Sequence, residues 1–197
     1  MGDHHHETAL PSANRDCGHD NSCALSCKPK YGRSWTNALR DCPPAIVQGS
    51  GPGPPGILIL ALGTNDIFAE AGRKPHDTVN AMRSLVKVTK DLPTAQGSSV
   101  PNTSPPKVMI VSPPNCLPLS SVTGEGFPQL NELTRWLPEL TKLYNELAIE
   151  QDTYFADAAK FCEPDPVDGL HLDARNTKKL GVGIAKILAL EGFADFC

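Results

Sequence analysis

The stretch that decides the fold is GILILALGTND, residues 56–66. Its first part, Ile57 to Leu62, is a continuous apolar run that follows one glycine and ends at another, Gly63. Such a run predicts a strand buried on both faces, as the strands of parallel sheets are. Asn65 and Asp66 follow directly, at the position where open parallel sheets bind their ligands.

Strand and helix patterns alternate along the chain after this stretch. Apolar runs at Val108–Val111 and Thr153–Ala156 predict a second and a third strand. Mostly apolar residues recur at helical spacing in three segments: Val79, Met82, Val86 and Thr89; Leu133, Leu137, Leu140, Tyr144 and Leu147; and Leu180, Ile184, Ile187 and Leu188. This order predicts an α/β fold built from βαβ units, with helices covering a parallel sheet.

The amino-terminal part of the chain has a different composition. Residues 1–33 are polar and show the period of neither a helix nor a strand. The stretch GSGPGPPG, residues 49–56, is too rich in glycine and proline for a regular element. We therefore expect residues 1–56 to form a poorly ordered arm and linker, and residues 57–197 to form one α/β domain whose amino-terminal part is incomplete or irregular.

Charge and hydropathy exclude several classes of protein. The 197 residues carry 18 Lys+Arg and 22 Asp+Glu, a net charge of -4, which provides no basic field for nucleic acid or an anionic membrane. The longest apolar run is far shorter than the roughly 20 residues of a transmembrane helix. The first residues lack the basic and apolar parts of a signal peptide. We expect a cytoplasmic protein with no nucleic-acid or membrane partner.

The cysteines indicate reduced thiols. Seven is an odd number, and several of the cysteines lie far apart in ordinary segments. Cys17, Cys23, Cys27 and Cys42, with His19 nearby, offer enough ligands for a zinc cluster, but they contain no Cys-x2-Cys pair. We interpret them as scattered thiols, with a zinc cluster as the alternative, and we expect neither a metal nor a cofactor.

Asp168 and His171 are the clearest candidates for chemistry. They lie three residues apart just before a predicted helix, so a turn can bring the carboxylate to Nδ1 of the imidazole and orient a general base. Asn65, at a strand end, can donate a hydrogen bond to an oxyanion, and Gly63 would let a substrate approach the backbone. Each pattern alone is also typical of a cap, a surface pair or a turn. Their joint placement after strands indicates a site.

Two blocks carry a resemblance to a known family. LGTND, residues 62–66, resembles the third conserved block of the SGNH (GDSL-type) hydrolases, and VDGLHL, residues 167–172, resembles the fifth. Between them, PKVMIVSPP, residues 106–114, and residues 140–147 are similar to the arylesterase and acyltransferase branch of that family. The resemblance implies a flavodoxin-like three-layer sandwich with a parallel sheet. It also implies hydrolysis or transfer of small acyl groups from esters.

The resemblance assigns roles to individual residues. His171 would be the general base, Asp168 its orienting partner and Asn65 an oxyanion donor. The family's nucleophilic serine lies in a Gly-Asp-Ser-Leu block after the first strand, and this chain has no such block. Ser22 is the weak candidate for that serine, and Gly49, in a shortened second block, is a weak candidate for a second oxyanion donor.

Three functions therefore stay open. The first is an esterase or acyltransferase acting on small acyl esters. The second is an inactive binding or scaffold protein that keeps the pocket without the nucleophile, and the third is a truncated product without a stable function. Because no apolar segment before residue 45 supplies a strand beside Ile57–Leu62, we also expect a bare sheet edge, weak stability and self-association through that edge.

Overall fold

The computed structural model describes residues 56–69, 74–91 and 106–193. Three parallel strands form a sheet in the order β1-β2-β3. The strands are β1 (Ile57–Ala61), β2 (Lys107–Ser112) and β3 (Tyr154–Asp157), and the helices are α1 (Thr64–Ala69), α2 (Pro75–Lys90), α3 (Leu130–Glu150) and α4 (Ala174–Leu190). The predicted fold class, an α/β sandwich with a parallel sheet, is confirmed. The predicted arm of residues 1–56 lies outside the described residues except for Gly56.

The register aligns the carboxyl ends of the three strands. Leu60 lies beside Ile110, and Ile110 lies beside Phe155. The central strand β2 is buried at every residue after Lys107, because it is paired on both sides and covered on both faces. The segments that follow the three strands therefore start from one edge of the sheet, which is where ligands of open α/β folds bind.

One face of the sheet packs against α1, α2 and α3. Leu58, Leu60, Val108 and Ile110 point into this core, and the helices contribute the residues that the periodicity predicted. Those residues are Val79, Met82 and Val86 of α2 and Leu133, Leu137, Leu140, Tyr144 and Leu147 of α3, all of which are buried. The predicted helical faces are confirmed.

Among the described helices, α4 alone packs on the other face. Met109 and Val111 of β2 and Ala156 of β3 are buried here, and the α4 residues predicted to face the core pack on them, namely Leu180, Ile184, Ile187 and Leu188. This cluster includes Ile57 of β1, which is partly buried, but Ile59 remains 38% exposed. The prediction that β1 is buried on both faces is therefore wrong for this face.

Gly63 packs closely against α3 on the side where a Cβ would lie. Its φ is +127°, and a Cβ at this position would lie 2.8 Å from Oη of Tyr144 and 3.0 Å from Cδ2 of Leu140. The Tyr144 hydroxyl donates a hydrogen bond to the carbonyl of Leu62 at 3.2 Å. Burial, together with the carboxylate of Asp66, raises the pKa of the Tyr144 phenol, so the hydroxyl keeps its proton. On the side where a Cβ would lie, the tyrosine occupies the space; the expectation that Gly63 lets a substrate approach the backbone stays a prediction.

No helix in the described part of the chain combines the length and the apolar character that a membrane span requires.

A double-mutant cycle tests the packing of Gly63 against Tyr144. We expect Gly63→Ala to lower the free energy of unfolding by about 2–4 kcal/mol, from backbone strain and overpacking. Tyr144→Phe should cost about 1 kcal/mol, from the lost hydrogen bond. The double variant should lose less than the sum, because removing Oη removes the nearest contact of the new methyl group. Urea unfolding of the four proteins measures this, and strictly additive losses would contradict the packing.

A second prediction concerns β1, which forms one edge of the described sheet. Because Ile59 is exposed and no lysine or proline interrupts the strand, we expect the purified chain to associate as its concentration rises. Ile59→Lys should reduce this association, since a charge on an edge strand disfavours pairing with a second copy. Sedimentation velocity over a concentration series measures both proteins. A compact monomer at every concentration, with strong amide protection across residues 57–62, would refute the prediction.

Candidate active site

His171 and Asp168 form a hydrogen-bonded pair in the loop that leads into α4. Nδ1 of His171 lies 2.6 Å from Oδ2 of Asp168. The other carboxylate oxygen, Oδ1, accepts hydrogen bonds from the backbone N–H groups of Leu170 at 2.9 Å and His171 at 3.0 Å. One carboxylate therefore fixes both the turn of the backbone and the orientation of the imidazole.

The imidazole of this pair is open to solvent. The His171 side chain is 70% exposed and that of Asp168 is 26% exposed. In the part of the chain that the structure describes, Nε2 of His171 makes no hydrogen bond. A proton on Nδ1, held by Asp168, leaves Nε2 as a hydrogen-bond acceptor that faces away from the carboxylate.

Two opposing effects act on the carboxyl group of Asp168. Burial is the largest single effect and raises its pKa, but the hydrogen bonds from the Leu170 N–H, the His171 side chain and the His171 N–H together outweigh it. The pKa of Asp168 is therefore lower than that of an ordinary aspartate. The group stays ionised well into the acidic range and is available as the partner of the imidazole.

The loop that carries Asp168 is braced by the segment after β2. Leu117 N–H donates to the carbonyl of Gly169 at 2.8 Å. Further along, Thr123 N–H donates to Pro166 O at 2.8 Å, Gly124 N–H donates to Val167 O at 3.0 Å, and the Thr123 hydroxyl donates to Pro166 O at 3.1 Å. We call residues 117–124 the brace. These bonds fix the height of the Asp168 loop above the sheet edge.

Gly169 lets the loop and the brace come into contact. Its φ is +74°, in the region that favours glycine. A Cβ at this residue would lie 2.7 Å from Cγ2 of Val122 and 3.2 Å from Cδ1 of Leu130. A side chain at residue 169 would therefore push the brace away from the loop that holds the imidazole.

Asn65 lies in the first turn of α1, directly after β1, and its side chain is exposed. The helix begins here because the carbonyl of Gly63 accepts hydrogen bonds from the N–H groups of Asp66 at 3.2 Å and Ile67 at 3.4 Å. This start sets Asn65 at the carboxyl edge of the sheet. Its role as an oxyanion donor stays a prediction.

Two aromatic contacts connect α1 with the His171 loop. The rings of Phe68 and Phe127 meet edge to face, with centroids 5.1 Å apart and planes at 88°. The ring of Phe127 also contacts the imidazole of His171, with centroids 6.1 Å apart and planes at 67°. Phe68 follows Asn65 by one helical turn, so these contacts join the helix that carries Asn65 to the loop that carries His171. Sequence patterns had not identified Phe127, because a lone aromatic residue between Gly126 and Pro128 has no period.

Other polar residues at the strand ends have structural roles. Oγ of Ser112 accepts a hydrogen bond from the Ala158 N–H at 3.3 Å and is buried. Oδ1 of Asp157 accepts one from the Ala159 N–H at 3.1 Å. These two side chains thus support the turn after β3.

Ser22 and Gly49, the weak candidates for nucleophile and second oxyanion donor, lie outside the described residues, as do the four cysteines considered for zinc. Within the described ranges, no group of three or more His, Cys, Asp or Glu side chains is arranged to hold a metal ion. Cys116 and Cys162 are buried free thiols. Burial raises the pKa of Cys116 to about 11 and also raises that of Cys162, so neither is an activated thiolate.

A cleft of about 490 Å³ opens along the outer edge of β3, between α3 and α4. Its lining includes Thr141, Lys142, Asp157 and Lys160. Neither the Asp168–His171 pair nor Asn65 lines this cleft. The candidate site is thus a separate, open surface at the carboxyl edge of the sheet.

Solved structures share this architecture. The aryl esterase of M. smegmatis is 28% identical to this chain, with a TM-score of 0.62 over 77% of the chain. An assigned arylesterase from Agrobacterium tumefaciens str. C58 is 31% identical, with a TM-score of 0.57 over 68%. A GDSL-like lipase from Bacteroides thetaiotaomicron, 14% identical, shares the fold alone, with a TM-score of 0.53 over 81%. No family model and no curated protein matches the chain.

The chain has the α/β sandwich fold of these two esterases and of the lipase. The resemblance to the SGNH (GDSL-type) hydrolases, predicted from two sequence blocks, is confirmed at the level of the fold, which the chain shares with the two esterases and with the GDSL-like lipase. It spans 66% of the length of the M. smegmatis aryl esterase, 60% of the Agrobacterium protein and 73% of the lipase.

The lowered pKa of Asp168 predicts a pH dependence of stability. A group with a depressed folded-state pKa stabilises the fold above its unfolded pKa, and this stability is lost as the pH falls through the folded value. Asp168→Asn keeps an oxygen acceptor for the two backbone N–H groups but has no charge to lose. We expect the variant to be less stable than the wild type at neutral pH, and the difference to shrink below about pH 4. Urea unfolding across pH measures it, and a constant difference would contradict the role of the carboxylate.

Proposed function

We propose that this chain is an ester hydrolase or acyltransferase that acts on small acyl esters, with His171 as its general base and Asp168 as the residue that orients it. The observation that carries the proposal is the 2.6 Å contact between His171 Nδ1 and Asp168 Oδ2, with Nε2 exposed and unpaired among the described residues. Relationship to esterases at 28% and 31% identity supports the same chemistry.

The proposed reaction follows the serine-hydrolase scheme. Nε2 of His171 takes the proton of a serine hydroxyl while the serine oxygen bonds to the ester carbonyl carbon. The side-chain amide of Asn65 donates a hydrogen bond to the carbonyl oxygen as negative charge develops on it. The imidazolium then protonates the leaving alcohol as the carbon–oxygen bond breaks. Water, or an acceptor alcohol, releases the acyl group by the same steps in reverse. We propose Ser22 as the nucleophile and the backbone N–H of Gly49 as a second donor.

The second candidate function is an inactive binding or scaffold protein. The absence of a Gly-Asp-Ser-Leu block from the sequence favours it, because the base would then have no hydroxyl to activate. A truncated product without a stable function is a third outcome. We further propose a cytoplasmic location, no cofactor and self-association through the β1 edge; the free thiols Cys116 and Cys162 support the location.

An active-serine probe and one histidine variant separate these functions. A fluorophosphonate should label the wild-type chain at Ser22, located by mass spectrometry of its peptides, and hydrolysis of a short-chain aryl ester should accompany labelling. His171→Ala should abolish labelling and reduce hydrolysis by about 10³-fold or more. Asp168→Asn should lower turnover with substrate binding retained, since the carboxylate only orients the imidazole.

The matched control is a second histidine–carboxylate pair. Nδ1 of His76 lies 3.8 Å from Oε1 of Glu139 on exposed surfaces of α2 and α3. We expect His76→Ala to retain wild-type labelling and hydrolysis. Equal activity of the wild type and His171→Ala would refute the mechanism. A folded wild type that takes up no probe would favour the binding protein instead.

A further inference from the structure

Asp165 closes the loop that carries the candidate base. Its backbone N–H donates a hydrogen bond to the carbonyl of His171 at 2.7 Å, and its carbonyl accepts one from the N–H of Gly169 at 2.8 Å. Oδ1 of its half-buried side chain accepts a third, from the N–H of Val167 at 2.9 Å. These three bonds all stay within residues 165–171, so Asp165 joins the two ends of the loop.

The residue after Asp165 is a proline, which makes the side chain of Asp165 important for the turn. Pro166 has no N–H, so the first N–H of the loop after Asp165 is that of Val167, and the carboxylate accepts it in a turn of two residues. Beyond this turn, the carbonyls of Pro166 and Val167 accept the hydrogen bonds of Thr123 and Gly124 in the brace. The carboxylate of Asp165 thus sets the direction in which the chain enters the loop.

Asp165 also holds the backbone on both sides of Asp168. It accepts the N–H of Val167 through its side chain and the N–H of Gly169 through its carbonyl, and these are the two chain neighbours of Asp168. Because both neighbours are fixed, the Asp168 carboxylate has a defined position. From there Oδ1 accepts the next two backbone N–H groups, and Oδ2 lies 2.6 Å from Nδ1 of His171.

We infer that Asp165 is a positioning residue for the candidate base, which holds the backbone around Asp168 and thereby keeps that carboxylate against Nδ1 of His171. The inference rests on the proposed function for the use of His171 as a base, but the orientation of the imidazole is measurable without it. The side chain of Asp165 bonds to a backbone N–H and not to the imidazole. Its geometry as an acceptor, rather than its charge, should therefore carry the effect.

Two substitutions separate geometry from charge. Asp165→Asn keeps the acceptor oxygen and removes the charge, whereas Asp165→Glu keeps the charge and moves the oxygens one methylene farther from the backbone. Nitrogen-15 NMR of the full chain reports the tautomer of the His171 ring, whose signals are assigned by their loss in His171→Ala. We expect Asp165→Asn to keep the Nδ1–H tautomer of the wild type. Asp165→Glu and Asp165→Ala should each give a mixture of the two tautomers, because Asp168 is no longer held in place.

Asp157→Ala is the matched control. Oδ1 of Asp157 accepts the N–H of Ala159 at 3.1 Å, which is the same two-residue turn, at the end of β3. Asp157 lines the cleft that the Asp168–His171 pair does not line. Asp157→Ala should lose stability toward urea, as Asp165→Ala does, but it should keep the wild-type tautomer of His171. A changed tautomer in Asp165→Ala is then not a result of lower stability alone.

Kinetics give a second measurement where the chain hydrolyses a short-chain aryl ester. Asp165→Ala should lower kcat by about 10–100-fold with KM unchanged, the loss expected when a base is slightly misplaced. Asp165→Asn should restore kcat to near the wild-type value. If Asp165→Ala fails to fold, the comparison of Asp165→Glu with Asp165→Asn decides the question in the same way.

The outcomes separate the inference from the proposed function. If a folded Asp165→Ala or Asp165→Glu keeps the wild-type tautomer, the inference is overturned even when the wild type hydrolyses esters. It is also overturned if Asp165→Asn gives the mixture and Asp165→Glu does not, because charge would then be the cause. If the tautomers change as expected but the wild type hydrolyses no ester, the positioning role of Asp165 stands and the proposed function fails.

Discussion

The candidate site depends on the backbone hydrogen bonds between the brace, residues 117–124, and the loop before α4. Three N–H groups of the brace donate to carbonyls of Pro166, Val167 and Gly169. The brace itself extends from β2, which is the most completely buried strand of the described sheet. The position of the His171 loop is therefore set by the central strand through main-chain bonds, and the orientation of the imidazole is set by Asp168.

Periodicity was sufficient to predict the fold of the described residues. The apolar runs of β1 and β2 are short and are followed by glycine, or by serine and proline, which distinguishes them from helices. The buried residues of α2 and α3 recur at the period of a helix. What periodicity could not show is how far α4 reaches across the sheet. Ile59 is as apolar as Leu58, yet its side chain is exposed. Among the described helices only α4 packs on that face of the sheet, and it packs mainly on β2 and β3.

The candidate site was predictable only where its residues are close in sequence. Asp168 and His171 are three residues apart, so one turn brings them together. Gly63 packs against Tyr144, and Phe127 contacts His171. In each case the two residues are far apart in the chain, so the contact leaves no local sequence pattern. The described residues include the His171–Asp168 pair, whereas Ser22, the nucleophile of the proposed reaction, lies outside them.

The most direct test of this account is the tautomer of His171. If Asp168 holds the imidazole as described, the neutral ring carries its proton on Nδ1 and has an unprotonated Nε2 to accept the proton of a nucleophile. Nitrogen-15 NMR of the histidine ring distinguishes the two tautomers. The account predicts the Nδ1–H form in the wild type and a mixture in Asp168→Asn, where the charge that selects one tautomer is gone. A wild-type ring protonated on Nε2 would contradict the account, because the free lone pair would then be on Nδ1, facing Asp168, and Nε2 could not accept a proton from a nucleophile.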